Sequence, residues 1–258
     1  MRKALAKSKN LVSIRILKTI GTQYAQDYVT RFGFDADKHP PYLTMALGAG
    51  SVTPWQQLAG YSVFANGGYR IQPYIVKQIL DDKGNVLAEA QPVVAGDENL
   101  RAIDPRNAFL MDSMLHDVVR RGTATRALQL KRADLAGKTG TTNDFVDAWF
   151  CGYQPSLVGI AWIGFDQPKK LGNGETGGSA ALPIWIGYME KALKTVPESF
   201  MTAPEGLVTI KIPTGGAGEA EGSTTEMIYK ENLPPPPPES SEPESPQRWT
   251  IPAPNLSG

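Results

Sequence analysis

The sequence predicts an α+β fold in which helices come first and an antiparallel sheet comes last. Two observations predict it. Over the first half, apolar residues recur at helical spacing between hydroxyl, proline and glycine punctuation; from Leu135 the runs shorten, fill with β-branched and aromatic residues, and are separated by turn signals. At 258 residues, 41% hydrophobic and 20% charged, the chain can bury a core of one or two domains, which excludes wholesale disorder and a disulfide-stapled miniprotein.

The elements follow in order. Leu11, Ile14 and Leu17, then Tyr24 and Tyr28, recur at helical spacing from Asn10, with a break near Gly21, so two helices are expected there. Thr53-Pro54-Trp55-Gln56 places a hydroxyl cap, a proline at the first helical position and Gln three residues after the cap; the helix it opens should close at Asn66-Gly67-Gly68. Asp104-Pro105 opens another towards Val119. Between these, 74–80 and 86–88 flank Asp81-Asp82-Lys83-Gly84-Asn85, a hairpin signal. Runs at 135–141, 148–152 and 157–164 read as three consecutive antiparallel strands, and an amphipathic helix over about 181–193 should cover one face of them.

Beyond about residue 200 the composition changes. Ten of the 21 prolines fall between Pro213 and Pro254, among Glu, Ser and Gly. Residues 1–200 are therefore read as the folded part and 201–258 as a mostly disordered tail, which has too little apolar surface to offset its ordering entropy. The run Pro234 to Pro238 should be extended polyproline II, serving as a spacer or as a ligand for a partner. Leu207 to Ile212 alternates and could add one strand before the disorder begins.

Charge and cysteine usage narrow the function. Lys plus Arg and Asp plus Glu both total 26, which leaves no basic footprint for nucleic acid. Cys151 is the only cysteine, and His39 and His116 stand apart from any metal-ligand spacing, so neither a metal nor another cofactor is expected. No apolar run reaches the roughly 18 to 20 residues that span a bilayer. Gly172 to Gly177 fits G-x-G-x-x-G literally, but no strand leads into it, and a loop beside an active-site entrance is the better reading. Asp147 and Asp166 are expected as turn residues, and Trp149, Trp162 and Trp185 as core.

The segment with the most chemistry is Gly137-Lys138-Thr139-Gly140-Thr141-Thr142. Glycines let a ligand lie directly against a strand there, Lys138 supplies charge, and Thr139 and Thr141 can donate to a carboxylate. Ser8-Lys9-Asn10, about 130 positions earlier, could by itself be helix capping. Together the two match the Ser-x-Asn and Lys-Thr-Gly motifs of penicillin-binding proteins and serine β-lactamases. The stretches 7–21, Arg31 to Phe34, Ala46 to Gly68, Gly137 to Tyr153 and Trp162 to Asp166 resemble the transpeptidase domain of class A penicillin-binding proteins, closest to the 1a type of Gram-negative bacteria. The resemblance covers roughly residues 1–200.

That resemblance implies a penicillin-sensitive serine D,D-transpeptidase acting on the D-Ala-D-Ala ends of peptidoglycan stem peptides, acylated at the same serine by β-lactams, and working in the periplasm on an inner-membrane anchor. By motif, Ser8 would relay a proton to the leaving nitrogen. Asn10 would hydrogen-bond the acyl-side amide, and Lys138 would set the field of the site. Thr139, Gly140 and Thr141 would bind substrate, the hydroxyls taking its terminal carboxylate and the Thr141 N–H serving as an oxyanion donor. One motif departs from the pattern: no serine in the chain has a lysine three residues later. The Ser-x-x-Lys nucleophile is expected upstream, with the membrane anchor and glycosyltransferase domain of a class A protein, so the isolated chain should be inactive and should expose apolar surface and an unpaired sheet edge. The alternatives are a non-catalytic peptidoglycan-binding or β-lactam-sensing module and, with no residue assignable to a deacylating base, a serine β-lactamase.

Overall fold

The computed structural model describes residues 1–214 and 222–233. They divide into two compact units, Met1–Glu205 and a second one from Gly206. The first opens with three helices, α1 (Arg2–Ala6), α2 (Asn10–Ile20) and α3 (Thr22–Val29), followed by 3-10 turns and α4 (Pro54–Ala65). Thr53 and Gln56 cap α4 reciprocally, with Pro54 at its first turn, so the sequence signal and the observed start coincide. A short hairpin, β1 (Gln78–Leu80) with β2 (Val86–Glu89), turns through Gly84 at φ +82° and leads towards α5 (Pro105–Arg121), whose first turn Asp104 caps.

The centre is a three-stranded antiparallel sheet of β3 (Ala136–Thr141), β4 (Ala148–Gln154) and β5 (Leu157–Ile163), in that order, backed by α6 (Leu182–Ala192). Successive side chains of a strand point to opposite faces. On one face Phe150 meets Trp185 of α6 edge-on at 4.9 Å. Gly137, Gly152 and Gly159 lie opposite one another in register, forming a row without side chains. A Cβ at Gly152 would stand 2.8 Å from the Trp185 ring, and one at Gly159 2.9 Å from its Nε1, so the row is what admits the indole. Trp185 is 2% exposed, and its N–H donates to the Gly159 carbonyl at 3.1 Å, leaving no unsatisfied polar group.

The other face carries Lys138, Cys151 and Ile160 in one row and Gly140, Trp149 and Trp162 in the next. It meets α4 and α5: Gln57 of α4 donates to Cys151, and the Tyr153 hydroxyl donates to Asp112 of α5 at 2.9 Å. His116, one helical turn after Asp112, contacts the Leu135 carbonyl through Nδ1 at 2.8 Å and so ties α5 to the start of β3.

The antiparallel helix-plus-sheet class matches the sequence reading, with two differences. Helix α1 has no counterpart in it, being too short to show a period. Among the described strands the outer edges of β3 and β5 are unpaired, and Leu11 is 70% exposed. In the second unit, β6 (Leu207–Thr214) pairs antiparallel with β7 (Gly222–Tyr229) from Leu207↔Tyr229 to Thr214↔Gly222. The disordered-tail reading of 201–258 is thus corrected over 222–229, where Thr-Thr-Glu-Met-Ile-Tyr has the β-branched and aromatic content of a strand partner for the one anticipated. The proline run 234–238 and the tail from 234 to 258 lie outside the described residues. Among the described residues no helix is long and apolar enough to cross a membrane.

Candidate active site

Lys138 projects from the middle of β3, the edge strand, on the face opposite Trp185. Its ammonium donates to the Ser8 hydroxyl at 2.9 Å and to the Thr139 carbonyl at 2.9 Å. Burial lowers the Lys138 pKa to about 8; the facing Cys151 pulls weakly the other way. Burial also raises the Cys151 thiol to about 12, so at neutral pH it stays protonated and offers Lys138 no counter-charge. The result is a desolvated ammonium within reach of proton exchange near neutral pH, with a hydroxyl as its side-chain acceptor.

Ser8 reaches that position by an uncommon backbone. Helix α1 is clamped on α5: Arg2 donates to Asp117 at 3.1 Å and to the Ser113 carbonyl at 2.9 Å, while the Thr123 N–H donates to the Ala6 carbonyl at 3.1 Å. A Cβ at Gly122 would come within 2.3 Å of that carbonyl, so the close approach requires glycine. After Ala6 the chain ends α1 in a Schellman turn, with Lys9 N–H to Ala4 carbonyl at 2.8 Å and Ser8 N–H to Leu5 carbonyl at 3.1 Å. Ser8 takes the left-handed position, φ +52°, where glycine is usual. The helix-capping interpretation of Ser8 and Asn10 is therefore not what is observed: the N-cap of α2 is Lys9, with no side-chain cap. Backbone conformation disfavours serine here, while its hydroxyl meets Lys138.

The neighbouring threonines are held too. Thr139 and Thr123 share a hydrogen bond between their hydroxyls at 2.6 Å, and the Thr141 hydroxyl accepts from the Gly177 N–H at 3.0 Å. Gly177, the last glycine of the G-x-G-x-x-G stretch, starts a single π-helical turn, and a Cβ on it would clash with the Gly140 and Trp149 backbones. Asn10 opens α2 two residues beyond Ser8, exposed, and no hydrogen bond of its side chain is found among the described residues. The structure thus brings Ser8, Lys138, Thr139 and Thr141 to one strand edge, whereas Asn10, two residues after Ser8, makes no side-chain hydrogen bond among the described residues.

A cleft of about 770 Å³ runs from this edge to the helical side, lined by Lys138 to Thr142, Cys151, Trp149 and Trp162 on one wall and by Gln57, Tyr61 and Phe64 of α4 on the other. The expectation that all three tryptophans are core is corrected here. Trp185 is core, but Trp162 is 37% exposed in the cleft, stacked on Trp149 at 5.7 Å and held by its N–H to the Asp147 carboxylate at 2.8 Å. Asp166, expected as a turn residue, also lines the cleft. Among the described residues no group of three His, Cys, Asp or Glu side chains could hold a metal.

The sequence matches the penicillin-binding protein transpeptidase domain over residues 1–185. The chain belongs to that family. It is 52% identical over 209 residues to penicillin-binding protein 1A of Neisseria flavescens, covering 81% of this chain and 26% of the relative. Against penicillin-binding protein 1A of Pseudomonas aeruginosa it is 42% identical over 284 residues, covering 91% and 34%. The crystal structure of penicillin-binding protein 1A from Haemophilus influenzae superposes with a TM-score of 0.78 at 33% identity, covering 86% of this chain and 39% of that one. The chain spans about a quarter to a third of the length of these curated relatives.

Around this strand edge and cleft, sequence reasoning missed the places of Thr123, Cys151 and the Trp149–Trp162 ledge. Gly122-Thr123 directly after α5 was the available signal for Thr123, but nothing local shows that the loop meets β3. Cys151 and Trp149 owe their places to register with Lys138 and Gly140, which is visible only once the strands are paired.

Proposed function

We propose that this chain forms one wall of the active site of a peptidoglycan synthase, in which a serine carries the acyl group of a D-Ala-D-Ala stem peptide to an amine on a neighbouring strand. The observation that carries the reading is the 2.9 Å hydrogen bond from Lys138 to Ser8, which joins the two motifs across 130 residues of sequence. Lys138, with its pKa lowered to about 8 by burial, suits proton relay through Ser8 to the departing nitrogen. Thr139 and Thr141, with hydroxyls on the strand edge, take the terminal carboxylate, and Gly140 between them lets the substrate backbone lie close. The Thr141 N–H serves as one oxyanion donor, and Asn10 holds the acyl-side amide.

The attacking serine, with its Ser-x-x-Lys motif, comes from outside these 258 residues. The apolar part of the cleft, lined by Phe34, Met45, Leu47 and Phe64, gives a helix bearing that serine a surface to pack against. In the whole protein β-lactams acylate the same serine, and an inner-membrane anchor outside these residues holds the site in the periplasm.

A fluorescent penicillin tests this. The isolated chain is expected to take no covalent, boil-resistant label, whereas a longer protein that includes the preceding Ser-x-x-Lys segment is expected to label and to lose labelling with Lys138→Ala. Labelling of the isolated chain would overturn the placement of the nucleophile. Full labelling of the Lys138→Ala protein would overturn the role of the lysine.

A further inference from the structure

Helix α4 separates two cavities. Pro54, Gln57, Tyr61 and Phe64 line the cleft, whereas Trp55, Gln56 and Ala59 line a second cavity of about 530 Å³ that shares no residue with it. The opposite wall includes Arg31 and Gly33 of the turn Arg31-Phe32-Gly33-Phe34, whose two phenylalanines line the cleft instead.

Two arginines converge on that turn. Arg70 donates to the Thr30 carbonyl at 3.4 Å, and its Nε lies 3.3 Å from where a Cβ on Gly33 would stand; Gly33, at φ +92°, leaves room for the guanidinium. Arg31 extends from the turn over the Tyr28 ring at 5.1 Å and donates to the Ala102 carbonyl at 3.4 Å. A third arginine on the wall, Arg101, is already neutralised: its Nε is 2.5 Å from Glu98, whose carboxyl the Arg101 and Tyr69 hydrogen bonds hold at a pKa of about 2. Among the described residues no carboxylate pairs with Arg31 or Arg70. Both residues are exposed on the cavity wall, so most of the five donors of each guanidinium remain open to solvent or to a bound anion.

We propose that this cavity is a ligand site, distinct from the cleft, that binds a short acidic peptide through Arg31 and Arg70. The volume is in the range of about 300–1,000 Å³ usual for organic ligands, far more than an inorganic anion fills. Two guanidinium forks match two carboxylates, and the Trp55 indole, 42% exposed in the same cavity, offers an apolar surface.

Calorimetric titration of the full 258-residue chain with N-acetyl-Glu-Ala-Glu, its Gln-Ala-Gln counterpart and inorganic phosphate tests this. The acidic peptide is expected to bind with an affinity that falls as salt rises, and at least about tenfold more tightly than the amide peptide. The Arg31→Gln/Arg70→Gln double variant should lose at least about tenfold, with Arg31→Lys/Arg70→Lys recovering part of it. Gln72→Glu, an exposed substitution on the same wall that does not depend on packing, should weaken binding about severalfold through its added negative charge. No binding of the acidic peptide, unchanged affinity in the Gln variant or in Gln72→Glu, or phosphate binding as tightly as the peptide would overturn the proposal. So would loss of binding in Lys138→Met, which would place the peptide in the cleft instead; Lys138→Met is expected to leave the affinity unchanged.

Discussion

The two faces of one three-stranded sheet have opposite fates. Facing α6, the glycine row of Gly137, Gly152 and Gly159 is filled by Trp185, and the polar atom of the indole is satisfied. Facing the cleft, the adjacent row of Lys138, Cys151 and Ile160 leaves an ammonium partly out of water with a hydroxyl in place of a counter-ion. The same strands thus hold a face built for packing and a face that leaves an ammonium and hydroxyls at a cleft. Alternation along a strand lets residues one apart, Gly137 and Lys138, serve the two purposes. It also shows that the first glycine of the Gly-Lys-Thr-Gly stretch has its contacts on the packing side.

The largest effect expected of this contrast is on the packed face. Trp185→Ala removes the side chain that fills the glycine row and should cost about 3–5 kcal/mol in denaturant unfolding while leaving the Lys138 titration in place by NMR. A loss under about 1 kcal/mol would break the comparison, since the row would then not depend on the indole. The second effect is a pH dependence on the cleft face. The folded pKa of Lys138, about 8, lies below its ordinary value of 10.5, so between those values the unfolded chain holds more of the proton and stability rises with pH. The rise is at most about 1.4 kcal/mol per pH unit for one proton, and Lys138→Met should abolish it and be the more stable chain at neutral pH. An unchanged slope in Lys138→Met would mean that the ammonium is not desolvated.

The smallest effect separates backbone from hydroxyl at Ser8. Ser8→Gly relieves the left-handed conformation and should be about 1 kcal/mol more stable than Ser8→Ala, although both lose the bond to Lys138. In a longer protein carrying the nucleophile, both variants should slow penicillin acylation by on the order of 10²–10⁴. Equal stabilities would show that the turn carries no strain, and an undiminished acylation rate would show that the hydroxyl has no part in it.

Much of this was legible in the primary structure. Pro54 and Asp104 marked helix starts, the turn at 81–85 marked a hairpin, and the three strand runs fell close to their observed bounds because cap, turn and alternation rules act over a few residues. Ser8 and Lys138 were legible as motif members. Other features were not. Helix α1 has five residues and shows no period, yet it is the element that delivers Ser8. The three tryptophans lie in similar apolar runs, and only tertiary packing decides that Trp185 is sealed between α6 and the sheet while Trp162 borders the cleft. Arg31 and Arg70 are 39 positions apart and look like ordinary surface charges until the turn at Gly33 places them on the wall of one cavity.

The sequence by itself determined where helices and strands begin and which side chains could do chemistry, since both depend on the residues themselves and their near neighbours. Tertiary structure alone decided the partners. Clamping α1 on α5 brings Ser8 to Lys138, and packing the sheet between α4 and α6 makes one face dry and the other open. Contacts between residues more than a hundred positions apart depend on how faces bury one another, and burial is a property of the assembled core that no short stretch of chain carries.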